Sequence, residues 1–249
     1  MILASLDCSL VAWEADGRVW WVRGAGAGAA IATAGPADQL GFSRDGGLWM
    51  RVGSEAGARA VRFDVDSGRQ AVVPHPVLAV AAGGGLDGAV LATAEGIRWW
   101  DGRALQVVST DARDRSPAVH PRDALIAFQR GGQAIGVHVQ VEGGFQRGSE
   151  LAYFRGRADC DGLAWTQRSL VGLCGGAAVS GTRNGELWTL GPATTLTTGD
   201  ERILADTVGF TWDGKPLPAP TQGAICHAAD GYRLATVADG TVAFTVWSP

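Results

Sequence analysis

The sequence predicts an all-β fold, a single six-bladed β-propeller of four-stranded antiparallel blades filling residues 1–249. Three observations predict it. Apolar runs are short and lack the helical 3.6-residue period. Asp-Gly dipeptides separate the runs. A similar unit recurs about every 41 residues, inside the roughly 40–45-residue span of a propeller blade.

Asp-Gly occurs eight times, beginning at Asp16, Asp45, Asp87, Asp101, Asp161, Asp213, Asp230 and Asp239. Between two apolar runs this pair favours a type I′ hairpin turn, which needs positive φ at both central residues. The same turns explain why 18 Asp outnumber 7 Glu. The acidity is turn chemistry and demands no acidic function.

The repeat is carried by three similar segments: Asp38-Gln39-Leu40-Gly41-Phe42, Asp161-Gly162-Leu163-Ala164-Trp165 and Asp206-Thr207-Val208-Gly209-Phe210. Each is Asp, a variable residue, an aliphatic, a small residue and an aromatic. With Ile2, Val77 and Pro117 opening comparable runs, units start near residues 2, 39, 78, 117, 162 and 207. The third unit reads most plainly as four strands: Val77–Ala82, Ala89–Ala94, Ile97–Trp100 and Ala104–Val108. The first reads Ile2–Leu6, Leu10–Glu14, Arg18–Val22 and Ala29–Thr33. The sixth reads Thr207–Trp212, Ala224–Ala228, Tyr232–Val237 and Thr241–Trp247. The fifth is the least regular, and a seventh blade fits if residues 160–222 hold an extra unit. A two-sheet sandwich is the rival architecture, and the repeat disfavours it.

The segments Leu40-Gly41-Phe42-Ser43-Arg44-Asp45-Gly46-Gly47-Leu48-Trp49 and Asp230-Gly231-Tyr232-Arg233-Leu234-Ala235-Thr236-Val237-Ala238-Asp239-Gly240-Thr241-Val242 resemble the strand, Asp-Gly turn, strand unit of bacterial WD-repeat and TolB-like propellers. The resemblance covers the chain as a repeat pattern. The paired Gly-His and Trp-Asp signatures of strict WD repeats are missing, apart from Trp100-Asp101. The resemblance therefore implies a fold and transfers no functional residue.

Composition narrows the function classes. Hydrophobic residues make up 46% and charged residues 18%, too apolar for a disordered chain. No uncharged apolar run reaches the ~18 residues of a transmembrane helix. The net charge of −4 argues against nucleic acid as the main partner. The start, Met1-Ile2-Leu3-Ala4-Ser5-Leu6-Asp7, lacks the basic n-region of a signal peptide, so a cytoplasmic protein is expected. Cys8, Cys160, Cys174 and Cys226 show no metal-binding spacing. In a cytoplasmic chain they read as buried thiols, although Cys160 and Cys174, on successive strands, could be bridged.

Two sets of residues are candidates for function. Asp38, Asp161 and Asp206 sit where inner strands would begin, with His75 near the same phase and His120 slightly later. Gathered around a central channel, they could hold a cation or supply an acid and a base. The structural alternative is that each Asp caps the start of its strand. Arg113 and Arg115, together with Arg155 and Arg157 beside Tyr153-Phe154, have the composition of a protein interface, as does Trp247 near the C-terminus. The alternative there is a solvated loop with local ion pairs. The pairs Trp20-Trp21 and Trp99-Trp100 should point to opposite sheet faces, both buried if both faces meet neighbouring blades.

The formal dinucleotide pattern Gly24-Ala25-Gly26-Ala27-Gly28-Ala29 has no helix after it and reads as a flexible turn. No P-loop and no Gly-x-Ser-x-Gly elbow occurs. The expected function is thus a non-catalytic scaffold or assembly subunit with protein partners and no cofactor. The alternative is a hydrolase- or lactonase-like enzyme, or a small-molecule binder, with a cation in the channel.

Overall fold

A computed structural model of the chain describes residues 2–5, 7–54, 57–142, 145–154, 160–165, 169–181, 187–192, 203–206, 209–212, 215–216, 223–229 and 231–247. The first sheet holds β1 (Ile2–Ala4), β2 (Leu10–Ala15) and β3 (Arg18–Arg23). After it come β4 (Gly26–Ala27) and β5 (Ala29–Ile31), and β5 completes that sheet as its fourth strand. The second sheet is β6 (Ala37–Phe42), β7 (Leu48–Val52), β8 (Arg59–Phe63) and β9 (Gln70–Pro76). The third is β10 (Ala79–Ala81), β11 (Ala89–Thr93), β12 (Gly96–Trp100) and β13 (Leu105–Val107). The fourth is β14 (Arg115–Val119), β15 (Leu125–Arg130), β16 (Gln133–Gln140) and β17 (Gln146–Phe154). The fifth is β18 (Cys160–Trp165), β19 (Leu170–Cys174), β20 (Ala177–Gly181) and β21 (Leu187–Pro192). A three-stranded sheet follows, β22 (Ile203–Asp206), β23 (Gly209–Trp212) and β24 (Lys215–Pro216). The last sheet is β25 (Gly223–Ala228), β26 (Gly231–Ala238) and β27 (Thr241–Trp247), with β4 from the N-terminal region as its fourth strand.

All the pairings are antiparallel, so the fold is a series of meanders. First strands of successive sheets lie side by side: β25 by β1, β1 by β6, β6 by β10, β10 by β14 and β14 by β18. The arrangement is propeller-like. A strand sandwiched between two neighbouring sheets is buried on both faces, and its sequence should be apolar throughout. In β11, Val90 and Ala92 pack toward the fourth sheet while Ala89 and Leu91 pack toward the second. In β15, Ile126 and Phe128 face the third sheet while Leu125 and Ala127 face the fifth. The tryptophan pairs obey the same rule. Trp99 joins the core between the third and fourth sheets and Trp100 the core between the second and third. Trp21 faces the second sheet and Trp20 the last.

The turns are more varied than the dipeptide suggests. Asp16-Gly17 and Asp239-Gly240 have positive φ at both residues, as a type I′ turn requires. Gly131-Gly132 and Gly175-Gly176 supply two more such turns. At Asp45, Asp87 and Asp101 only the glycine has positive φ. There the aspartate works through its side chain: Asp101 Oδ1 accepts the amides of Arg103 and Ala104, both at 2.7 Å.

Five expectations need correction. Residues 160–216 carry two sheets rather than one unit and the start of another. The segment expected to open a sixth unit instead pairs Asp206 with Gly209 in the three-stranded sheet and lies outside the last sheet. Strands of two to four residues give too little alternation to be read from sequence.

The Gly24–Ala29 stretch is not a free turn. Its Gly26 and Ala27 pair with Val242 and Thr241 of β27, and the Gly28 amide donates to Gly240 O at 3.0 Å. Nor are the cysteines thiols. Cys8 is bonded to Cys226 and Cys160 to Cys174, leaving none free. Proximity decided this: Cys160 and Cys174 are cross-strand partners, and Cys8 meets Cys226 where the first and last sheets join. Finally, His75 lies on the fourth strand of its sheet, exposed, and not at the start of an inner strand.

Candidate docking face

The first strands end together, and the loops that follow them build a depression of about 320 Å³. Leu3, Ala4 and Ser5 come from the end of β1, and Asp7, Ser9 and Leu10 from the turn into β2. Phe42, Ser43 and Arg44 follow from β6, Ala82 and Gly83 from β10, and Val119 and Pro121 from β14.

Each of these turns is fixed from within. Asp7 Oδ1 accepts the hydroxyls of Ser5 and Ser9, both at 2.7 Å, and the Ser9 amide at 3.0 Å. Burial works against the Asp7 carboxylate. The hydroxyls and amides around it outweigh burial and hold its pKa below the ordinary value. Ser43 donates to Asp45 and accepts from Trp49 Nε1 at 3.2 Å, so the second turn is anchored on a buried indole.

The turns are also fastened to one another. The Arg44 guanidinium grips Asp87 with Nε and Nη2 at 3.0 and 2.6 Å, and its amide donates to Leu86 O at 2.9 Å. The hydrogen bond from Arg44 holds the Asp87 carboxyl below its ordinary pKa, with the Arg44 charge adding to it against burial. The Gly85 amide reaches His120 O at 3.0 Å. Glycine is required at 85, where a Cβ would stand 1.9 Å from Asp123 O. On the far side, Cys8 in the Ser5–Ser9 turn is bonded to Cys226. The second, third and fourth sheets are thus pinned to one another at the rim of the depression, and the first is pinned to the last.

The sequence candidates are scattered relative to it. Asp38 stands near the start of β6, the opposite end of the strand. There Arg51 holds it through Nε and Nη2 at 2.7 and 2.5 Å and also donates to Leu78 O at 3.0 Å. It is a structural ion pair between adjacent strands of the second sheet, and the Leu78 bond ties it to the segment that enters the third. His120, 3% exposed, follows the end of β14. Its Nδ1 accepts the amides of Arg122 and Asp123 at 3.2 and 2.9 Å, and its ring meets Trp165 edge-on. Asp161 is the second residue of β18, and Asp206 ends β22. These candidates therefore occupy opposite strand ends and a fourth strand. Among the described residues, no three His, Cys, Asp or Glu are grouped to hold a metal ion.

Of the interface candidates, Arg113 is exposed and paired with Asp111 at 2.7 Å, and Arg115 is exposed at the start of β14. Arg155 and Arg157 lie outside the described residues, as does the Trp247 side chain, although Trp247 closes β27. Sequence reasoning missed Ser5, Asp7, Ser9, Ser43 and Arg44. Their signal was present as Asp or Ser a few residues beyond each first strand.

No protein-family model and no curated protein matches the sequence. Solved structures do resemble it. One is PorZ, described as an essential bacterial surface component of the type-IX secretion system of Porphyromonas gingivalis. The superposition has a TM-score of 0.57 at 12% identity and covers 99% of this chain but 38% of that one. Likeness at this identity shows the fold alone.

Proposed function

We propose that this chain is a non-catalytic, seven-bladed propeller that docks a protein partner on the face where its first strands end. The observation that carries the reading is the rim itself. Turns from successive sheets are cross-pinned by Arg44–Asp87, Gly85–His120 and Cys8–Cys226 around one depression. A pre-organised concave surface loses little freedom on association. The described carboxylates nearby are occupied as structural acceptors: Asp7 by serines, Asp45 by Ser43 and Asp87 by Arg44. The likeness to a secretion-system component supports an assembly role. The two disulfides support an oxidising compartment rather than the cytoplasm.

The test is site-specific photo-crosslinking of the full chain in its native host. A crosslinker at Ser9 or Gly46 should give one discrete, saturable adduct, and a crosslinker at Val72 on β9 should not. Equal labelling from all three positions, or none from Ser9 and Gly46, would sink the docking face.

A further inference from the structure

We propose that the seam between the first and last sheets is a clasp that closes by oxidation, the Cys8–Cys226 bond being its latch. The inference goes beyond the docking role and does not depend on it.

The seam joins parts of the chain 218 residues apart and is built from three elements. One is an apolar layer that is less deeply buried than its neighbour. Among the described residues its buried members are Val11, Trp13, Ala235 and Val242, with seven half-buried side chains packed on them, against eleven buried and four half-buried between the first and second sheets. Another is β4, a two-residue strand whose Ala27 and Gly26 pair with Thr241 and Val242 of β27, with one further bond from the Gly28 amide to Gly240 O. The last is the disulfide. Cys8 sits in the turn after β1, 6% exposed, and Cys226 lies within β25, 4% exposed. The other disulfide has no such task. Cys160 and Cys174 bridge β18 and β19, neighbours that already share a hydrogen-bonded ladder.

Closure needs an exchanging disulfide as oxidant. The Cys8 thiolate attacks one sulfur of that disulfide and displaces a thiolate, leaving a mixed disulfide on Cys8. The Cys226 thiolate then attacks the Cys8 sulfur and displaces the second thiolate. Two electrons and the two cysteine protons end on the reduced partner. The mostly half-buried layer and the short strand should hold the seam less firmly before this step than after it. Elsewhere, sheet contacts such as the Trp49 and Trp99 cores need no oxidation.

The test is hydrogen exchange on the full chain as wild type, Cys8→Ser/Cys226→Ser and Cys160→Ser/Cys174→Ser. Opening the latch should speed exchange about tenfold or more in β1, β4, β25 and β27 while β7 and β11 keep their protection. The Cys160–Cys174 variant should leave the seam unchanged. An unaltered seam in the Cys8–Cys226 variant, or loosening spread evenly over all sheets, overturns the proposal. If that variant does not fold, the wild-type chain in graded reduced and oxidised glutathione gives the same reading. There, seam protection should be lost at the ratio where Cys8 and Cys226 become alkylatable, ahead of β7 and β11. Simultaneous loss everywhere counts against the clasp.

Discussion

Asp114 is a carboxylate with a fully buried side chain, a demanding thing to bury. Arg130 answers it with Nε and Nη2, both at 2.7 Å, while Ser109 donates to it. The same guanidinium reaches Glu150 Oε2 at 2.8 Å, and Arg147 pairs with Glu150 as well. Removing one partner of a buried pair leaves an uncompensated charge. Arg130→Ala should therefore cost about 3 kcal/mol in urea unfolding at neutral pH. The network also sets an acid dependence. Burial tends to raise the Glu150 pKa, but the hydrogen bond and charge of Arg130, with Arg147, bring it below the ordinary 4.5. A carboxyl lowered in the folded state contributes stability above its unfolded pKa and loses it as pH falls through the folded value. Stability should thus stay level down to about pH 5 and decline below about 4.5, with a shallower decline in Glu150→Gln. None of this network was legible beforehand. The loop Asp111–Ser116 showed alternating charges, but only folding shows that Asp114 turns inward and Arg130 meets it.

At the scale of elements, strands were legible wherever both faces are buried. The expected Ala89–Ala94 and Ile97–Trp100 correspond to Ala89–Thr93 and Gly96–Trp100. Continuous apolar runs ending at tight turns leave little room for another register. The crossing segment Gly24–Gly28 was illegible for the opposite reason, since glycine and alanine carry no facing pattern, whereas the following Ala29–Thr33 corresponds to β5, Ala29–Ile31. The composition of the crossing segment becomes intelligible at Gly28, where a Cβ would lie 2.1 Å from Trp13 Cη2. Trp13 in turn stacks on Trp20 with centroids 6.4 Å apart, so it has little freedom to yield. Gly28→Val should lower stability by roughly 1–3 kcal/mol in thermal melts and loosen β4 from β27. Gly57→Ala, with nothing within 4 Å of the added carbon, should change stability by less than about 1 kcal/mol.

For the whole molecule, the two disulfides differ in the length of chain they close. In the chain-entropy picture a bond spanning 218 residues stabilises by roughly 5 kcal/mol and one spanning 14 by roughly 3. Denaturant midpoints of the two double-serine variants should follow that order, and the reverse order would mean the seam is held by its other contacts. By itself, the sequence determined the all-β class, the antiparallel meanders and the two-sided burial of the tryptophan pairs. These follow from local periodicity and turn chemistry, which neighbouring residues carry. Only the tertiary structure decided how residues 160–216 divide into sheets, which cysteines meet, and which turns gather around the depression. Those depend on which distant strands come side by side, and no local spacing encodes a meeting across two hundred residues.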